Sequence, residues 1–372
     1  KLIIKYLIFF SLSPIVYFIC IVRPIIHIRF CDLYSRRFGD FIDQVEGYLC
    51  HKNIASELQK SLIVFFWDYK ISNEQLKKMT SRVMFVFPRF FFVLIYKALI
   101  FFKKKDHILY LEKYNFSSSF ELMKKKTKPH IYFDEKEKFN ALLTLNKLGI
   151  IKDAEFICIH NRDSQYLDKT LPKDYPIDLG SWNYNNHRDF SIKELQSTAE
   201  YFASLGYYVL RMGTFVKEKY NSTNKRIIDY ANSDYRNDLM DLFLLSKCKL
   251  LLCGGTGMAI YPMVFNKPVF GVNLSSTELF NPNFCRYSLI TFKRLKDNIS
   301  GKLLSVKEIL QSEFAYTYNA NILKKNNITP IENTSSEILL YAKEMNKIIN
   351  RKYFESSEDI EIQKNFWSIY NK

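Results

Sequence analysis

The chain has 372 residues, 48% of them hydrophobic, and a formal net charge of +16. That length fits two domains or one large one, and that apolar share supplies full cores and excludes extended disorder. The charge favours anionic partners, but the Lys runs at 103–105 and 124–126 come with no zinc-finger spacing and no ribonucleoprotein-type aromatic motif, which sets nucleic acid aside.

Residues 6–22, "YLIFFSLSPIVYFICIV", carry no charge and fall a little short of the roughly 20 residues that span a bilayer. Pro14 sits in their middle, Lys1 and Lys5 precede them, and Arg23 follows. No small-x-small cleavage site follows the run, and basic residues on both sides give no orientation signal. The reading is a membrane-associated helix over 1–24, lying in the membrane plane or barely spanning it. A buried core helix is the alternative.

"IIHIRF" (25–30) reads as a buried strand, "CDLYSRRFGDF" as a basic loop, and Phe38, Phe41, Ile42, Val45 and Leu49 as the apolar stripe of a helix. "SLIVFFWD" (61–68) is a second strand. Ser72 with Gln75 forms a capping box for the next helix, and "RVMFVF" before Pro88 is a third strand. This alternation predicts a parallel α/β domain over 25–150. Within it, the Lys- and Ser-rich stretch 103–130 reads as a loop or lid between domains, and Leu142, Leu145 and Leu148 close one more helix.

The pattern restarts at 151. "EFICIH" is a strand. "SIKELQSTAEYFASLG" is a helix with Ser191 and Glu194 as capping box and Gly206 as its stop. "YYVLRMG" and "RIIDYA" are strands, "DLMDLFLLSKC" a helix, "KLLLCGG" a strand, "TGMAIYPMVF" a helix and "KPVFGVN" a strand. A second doubly wound domain over 151–330 follows. Residues 331–372 hold closing helices, the first capped near Thr334, that return to the N-terminal domain. Seven scattered cysteines, an odd number without a Cys-x-x-Cys pair, argue against a disulfide framework or structural zinc and for a reducing compartment.

Candidate chemistry gathers at strand ends of the second half. Gly254, Gly255, Thr256 and Gly257 form a strand-to-helix turn whose free amides suit a phosphate. Tight helix–strand packing explains the same glycines about as well. His160, Arg162, Asp163 and Tyr166 follow "FICI". There a guanidinium would hold a diphosphate, with Asp163 fixing its rotamer. Arg211 and Gly213 end the next strand. Asp229, Tyr230, Arg236, Asp238 and Asp241 follow, with Asp238 and Asp241 on one helical face. These acids would cap, hold a ribose or pair with Arg211, with structural pairing favoured for Asp241.

The segments "CIHNRDSQYL", "DFSIKELQSTAEYFASLGYYVLRMG", "IIDYANSDYRNDLMDLFLLSKCK" and "GGTGMAIYPMVFNKPV" resemble a family of bacterial glycosyltransferases from surface-polysaccharide gene clusters. That family's pattern runs C-x-H-x-R-D-x-x-Y, G-Y-x-V-x-R-M-G, I-x-D-Y-A, R-x-D-x-x-D and a Gly/Ser/Thr turn. "IRFCDLYSRRFGDFIDQVEGYL" and "ISNEQLKKM" are similar to it too, so the likeness covers nearly the whole chain. One departure is Arg37-Phe38-Gly39-Asp40, where the family reads R-I-G-H. Either Asp40 takes over that His or the His is not catalytic. A weaker resemblance extends to fucosyltransferase-like enzymes, whose His-x-Arg motif binds the donor diphosphate.

The resemblance implies a GT-B fold, two doubly wound Rossmann-like domains facing a cleft. The C-terminal half would bind a nucleotide-sugar. The N-terminal half would sit on the cytoplasmic face of the bacterial inner membrane and hold a glycan or lipid-linked acceptor. The diphosphate would rest on Arg162, Arg211 and the 254–256 turn, with no metal and no cofactor. Donor binding is assigned to Arg162, Asp163, Tyr166, Arg211, Gly213, Asp229, Tyr230, Asp238 and Gly254–Gly257. Asp40 is the expected base, with Glu46 and His160 in reserve. A nucleotide-sugar epimerase on the same fold and a non-catalytic, membrane-attached glycan-binding protein are the competing readings.

Overall fold

A computed structural model of the chain describes residues 2–52, 54–115, 128–170, 181–275, 288–317 and 319–370. It shows a mixed α/β protein with parallel sheets, divided into two compact units, Lys1–Glu137 and Lys138–Lys372. The division falls thirteen positions before the expected 150/151 boundary. It cuts within the helix Glu135–Lys147 (α6).

In the first unit, three parallel strands lie in the order β1 (His27–Leu33), β2 (Ser61–Trp67), β3 (Val86–Phe87). Their side chains alternate between faces, as a pleated strand requires. On one face Phe65 and Trp67 meet Tyr48 and Phe41 of α3 (Phe38–His51), at ring-centroid distances of 4.7 and 5.9 Å. On the other, Phe30 and Phe66 join Ile95, Ala98 and Leu99 of α5 (Arg89–Phe101) in a core that also takes in Phe9, Val16 and Ile19. A parallel bridge between Phe30 and Ile108 brings 105–109 onto the free edge of β1. This part of the stretch read as an interdomain loop therefore belongs to the first unit. Residues 116–127 of that stretch lie outside the described residues.

The apolar run at the start is two helices, α1 (Leu2–Ser11) and α2 (Ser13–Ile21). The break falls at Leu12, so that Pro14 occupies the first turn of α2, where its missing N–H costs nothing. Among the described residues no helix is long and apolar enough to cross a membrane. The spanning form of the expectation is thereby corrected. Other differences are local. Asn73, not Ser72, caps α4 (Glu74–Val83), its Oδ1 accepting from Leu76 N at 2.7 Å. That helix runs on through residues expected in the third strand, which keeps only two positions.

The second unit holds six parallel strands in the order β6-β5-β4-β7-β8-β9. They are β4 (Phe156–His160), β5 (Tyr208–Arg211), β6 (Ile227–Ile228), β7 (Leu250–Cys253), β8 (Val269–Leu274) and β9 (Leu289–Phe292). Their chain order reverses between β4 and β7, the arrangement of a doubly wound sheet. β4, β5, β7 and β8 are near-continuous apolar runs, as strands buried on both faces must be. A two-stranded antiparallel ribbon, β10 (Arg294–Asp297) with β11 (Ile328–Ile331), follows.

Before β5, Ser191 caps a 3₁₀ turn by accepting from Lys193 N, without the expected reciprocal Glu194, and α7 (Gln196–Ser204) continues from it. α8 (Asp238–Lys247) precedes β7. The closing helix α9 (Ser335–Ile349) carries the full capping box of Thr334 and Glu337. Its Ile338, Ala342 and Met345 lie in the second unit's core with Ile157, Phe202 and Leu250. The last helix, α10 (Ser357–Tyr370), sets Phe366 and Tyr370 against the cluster of Leu295, Ile309 and Phe314. Both helices, read as returning to the first domain, thus pack within the second unit.

The first unit's core hinges on Phe66, fully buried with its ring 5.5 Å from that of Tyr96. Phe66→Ala is expected to cost about 3–5 kcal/mol, read as an earlier first-unit transition in chemical denaturation.

Candidate functional site

In a doubly wound sheet, ligands bind at the carboxyl ends of the strands where the order reverses. Here that point lies between β4 and β7, where His160 pairs with Cys253. Its neighbour on the other side is β5, with Ile159 opposite Arg211. The sheet therefore brings His160 to Asp163, Arg211 to Gly213 and Gly254 to Gly257 to one edge, with Asp229 and Tyr230 following β6 beside them.

A segment absent from the sequence-level site covers this edge. Ser181 caps a 3₁₀ helix, Trp182–Arg188, and Asp189 and Phe190 follow it. Asn161 Nδ2 donates to Phe190 O (3.0 Å), and Phe190 N donates to Arg162 O (3.4 Å). Arg188 Nη2 donates to Gly255 O (2.9 Å). Arg162, mostly buried, donates from Nη1 to Asn185 O (3.2 Å) and pairs with Asp189. Burial raises the Asp189 carboxyl to about 6, although Arg162 pulls the other way. Lys293, arriving just before β10, donates from Nζ to Asp189 O and pairs with Glu332 at 3.2 Å. Burial lowers its own affinity for a proton. "NHRD" at 186–189 was a readable cluster of polar groups. Lys293 carried no comparable signal.

Arg211 has a different place. It is fully buried, facing Asp229 Oδ1 and Asn161 Oδ1, each at 3.4 Å. The other Asp229 oxygen accepts from Tyr220 N (2.9 Å) and Asn232 Nδ2 (2.7 Å). Arg211, expected to serve the diphosphate, is thus enclosed beneath this edge with its guanidinium turned to Asp229 and Asn161. His160 feels that charge. Burial, then Arg211 and Arg162, push its pKa down to about 3. So weakly basic an imidazole is a poor general base near neutral pH.

Asp163 does not hold Arg162. Its carboxylate accepts from Gln165 N (3.0 Å) and Lys217 N (2.9 Å), which fixes loop backbone. Tyr166 lies half-buried on the short helix Gln165–Thr170. Tyr230, fully buried, donates to Asp241 Oδ1 (2.8 Å), and Arg236 Nη2 meets Asp241 Oδ2 (2.7 Å) and Thr214 Oγ1 (3.0 Å). Asp238 stands 3.6 Å from Arg236. This is a structural knot around Arg236, and Asp241's partner is Arg236 rather than Arg211. Gly213 is glycine for two reasons: its φ is +150°, and a Cβ there would lie 2.5 Å from Val216 Cγ1.

Gly254 is closely packed. A Cβ on it would stand 2.7 Å from Cε1 of the buried Phe190 ring, and its N–H already donates to His160 O (3.3 Å). Thr256 caps the turn that begins at Gly257, accepting weakly from Met258 N at 3.4 Å.

In the first unit, Asp40 occupies the first turn of α3 rather than a loop, exposed at the surface. Crowding by protein raises its carboxyl above the ordinary range, against the pull of Arg37 and Arg36. Glu46 is fully buried and accepts from the backbone N–H groups of His130 and Ile131 (2.9 and 3.0 Å) and from His130 Nδ1 (2.9 Å). That engagement suits an anchor for 130–131 more than a base. Among the described residues two groups have metal-donor spacing, His27 with Asp106 and His107, and Glu46 with Cys50 and His130.

No family model and no curated protein matches this chain. Solved structures similar to it include two glycosyltransferases. One is the ADP-heptose LPS heptosyltransferase II of E. coli, at 11% identity and a TM-score of 0.44, over 87% of this chain and 99% of that one. The other is a glycosyl transferase family 9 protein from Veillonella parvula DSM 2008, also at 11% and 0.44, over 85% and 98%. Likeness at that level settles neither an activity nor a ligand.

If Gly254 serves packing, Gly254→Ala destabilises the second unit by about 1–3 kcal/mol, and adding Phe190→Leu recovers part of it in thermal unfolding. Unchanged stability with lost ligand binding would reverse the assignment.

Proposed function

We propose that the chain is a glycosyltransferase of GT-B type that takes a nucleotide-sugar and passes its sugar to a glycan or lipid-linked acceptor in bacterial surface-polysaccharide synthesis. The reading places the work at the cytoplasmic face of the inner membrane. The observation that supports it most is the gathering of Arg162, Arg188 and Lys293 at the reversal point of the second sheet, over the buried charge of Arg211. Such an edge suits a ligand carrying concentrated negative charge.

Arg162 is the donor-diphosphate residue in this reading. Its present partner Asp189 is a carboxylate that its surroundings hold poorly as an anion, so a diphosphate entering the site would displace it. The leaving diphosphate takes the electron pair of the glycosidic bond, and guanidinium groups stabilise that growing charge with no metal. The acceptor hydroxyl oxygen bonds to the sugar carbon and its proton passes to Asp40. An exposed carboxylate with a raised pKa is suited to that role.

Arg162→Ala should weaken nucleoside-diphosphate binding by roughly 10- to 100-fold, the loss of about 1.5–3 kcal/mol for a hydrogen bond to charge. Asp189→Asn should leave that affinity equal or higher. Calorimetry on both variants decides the point, since weakening by both would show a folding defect. Asp40→Asn should lower kcat by about 100-fold or more with KM little changed. Near-normal turnover would remove Asp40 from the reaction.

A further inference from the structure

At the amino ends of β1 and β2, opposite the strand ends where a catalytic loop would lie, the first unit contains a cavity of about 610 Å³. Arg23, His27, Arg29, Glu57, Lys60 and Asp106 supply its polar wall. Three of the charges are settled inside the chain: Arg23 and Asp106 pair with each other at 2.6 Å, and Glu57 pairs with Lys113 at 2.8 Å. Two are not. Arg29 is only 9% exposed, yet among the described residues its polar contact is a 3.2 Å hydrogen bond from Nη2 to Ile108 O, and its buried Nε has no partner there. Lys60 stands exposed on the same wall, and among the described residues neither it nor Arg29 makes an ion pair.

A guanidinium that deeply enclosed without a counter-charge is costly unless an anion completes it. The field in the cavity is positive in keeping with this. His27 is held below its ordinary pKa by burial, then by His107, Arg23 and Arg29.

The chain around the cavity is apolar and bare. Tyr17, Phe18 and Ile21 of α2 are more than half exposed, and Ile25, next to Arg23 in the wall, is 91% exposed. The opposite sides of α1 and α2 are packed against α5, so α2 is apolar on its covered and on its uncovered side. A phosphate group joined to an apolar body matches both halves of this surface.

We infer that this cavity is a docking site for the phosphate of an anionic phospholipid, with Arg29 and Lys60 as its phosphate ligands and Ile25 and the bare side of α2 entering the lipid interface. The site lies about 20 Å along the seven-residue strands from their carboxyl ends. It is therefore a holding point for the first unit and not part of the transfer chemistry. It rests on the reading of this chain as one that works at a membrane surface.

The test is co-sedimentation of the whole chain with phosphatidylcholine vesicles, with and without phosphatidylglycerol. Binding should be about 10-fold or more tighter to the anionic vesicles. Lys60→Glu, an exposed change that leaves the fold intact, should remove most of that preference. Arg29→Gln should act in the same direction. Ile25→Ser should weaken binding to both vesicle types. Equal affinity for the two vesicle types, or a preference untouched by Lys60→Glu and Arg29→Gln, would overturn the assignment. Thermal stabilisation by glycerol phosphate with no vesicle binding would give the cavity to a soluble phosphate and overturn the lipid source. Stabilisation by zinc ions but by neither vesicles nor phosphate would assign His27, Asp106 and His107 to a metal instead. Nucleoside-diphosphate binding, read on the same variants, should be unchanged; its absence from the wild-type chain would count against the transferase reading alone.

Discussion

A guanidinium with no access to water, at the carboxyl end of a parallel strand, dictates much of what surrounds it. Arg211 cannot be buried without fixed partners. Asp229 and Asn161 supply them, and each is tied into its own loop: Asp229 to Tyr220 and Asn232, Asn161 to Phe190. Through these bonds one buried charge orders the ends of β4, β5 and β6 and the segment that runs over them. Burial, reinforced by the same charge, lowers the proton affinity of His160 beside it. The second unit therefore has a preorganised positive edge whose shape is set before any ligand arrives.

Above that floor the cations are of another kind. Arg162 and Lys293 engage Asp189 through side chain and backbone respectively, and Arg188 holds the Gly255 carbonyl. These contacts run between loops and leave the hydrogen bonds of the sheet untouched. The division is between a fully buried Arg held at the strand ends and cations held by loop contacts, of which Arg162 and Lys293 are nearly buried too and Arg188 is half-buried. The first unit repeats the division with acids. Glu46 is sealed inside and holds 130–131, while Asp40 stands in the open on the same helix.

Much of the architecture was legible because parallel strands buried on both faces write themselves as short apolar runs. β2, β4 and β7 could be read nearly to the residue for that reason. Caps were less legible, since neighbouring residues compete for the same role. Ser72 and Asn73 can both accept from the first turn, and the geometry of the incoming chain selected Asn73. Pro14 looked like a flaw in one helix and is the start of another.

The site divided along the same line. Residues that follow a strand directly, such as Arg162 and Arg211, were found because strand ends announce them. Asp189 and Lys293 were not, because each reaches the edge from a distant loop and only the folded chain brings it there. Gly254 shows the limit of composition as a guide: a missing side chain invites a ligand on paper, and a phenyl ring occupies the space.

The strand order has one more consequence, for how the molecule comes to exist. β4 is the centre of the large sheet, and one of its two neighbours, β7, is separated from it by two other strands and two long helices in the chain. During synthesis β4 waits with one edge unpaired until β7 leaves the ribosome, and the helix that closes the core, α9, comes later still. The second unit thus completes its sheet late, since its central apolar strand gains its second neighbour only after about ninety more residues.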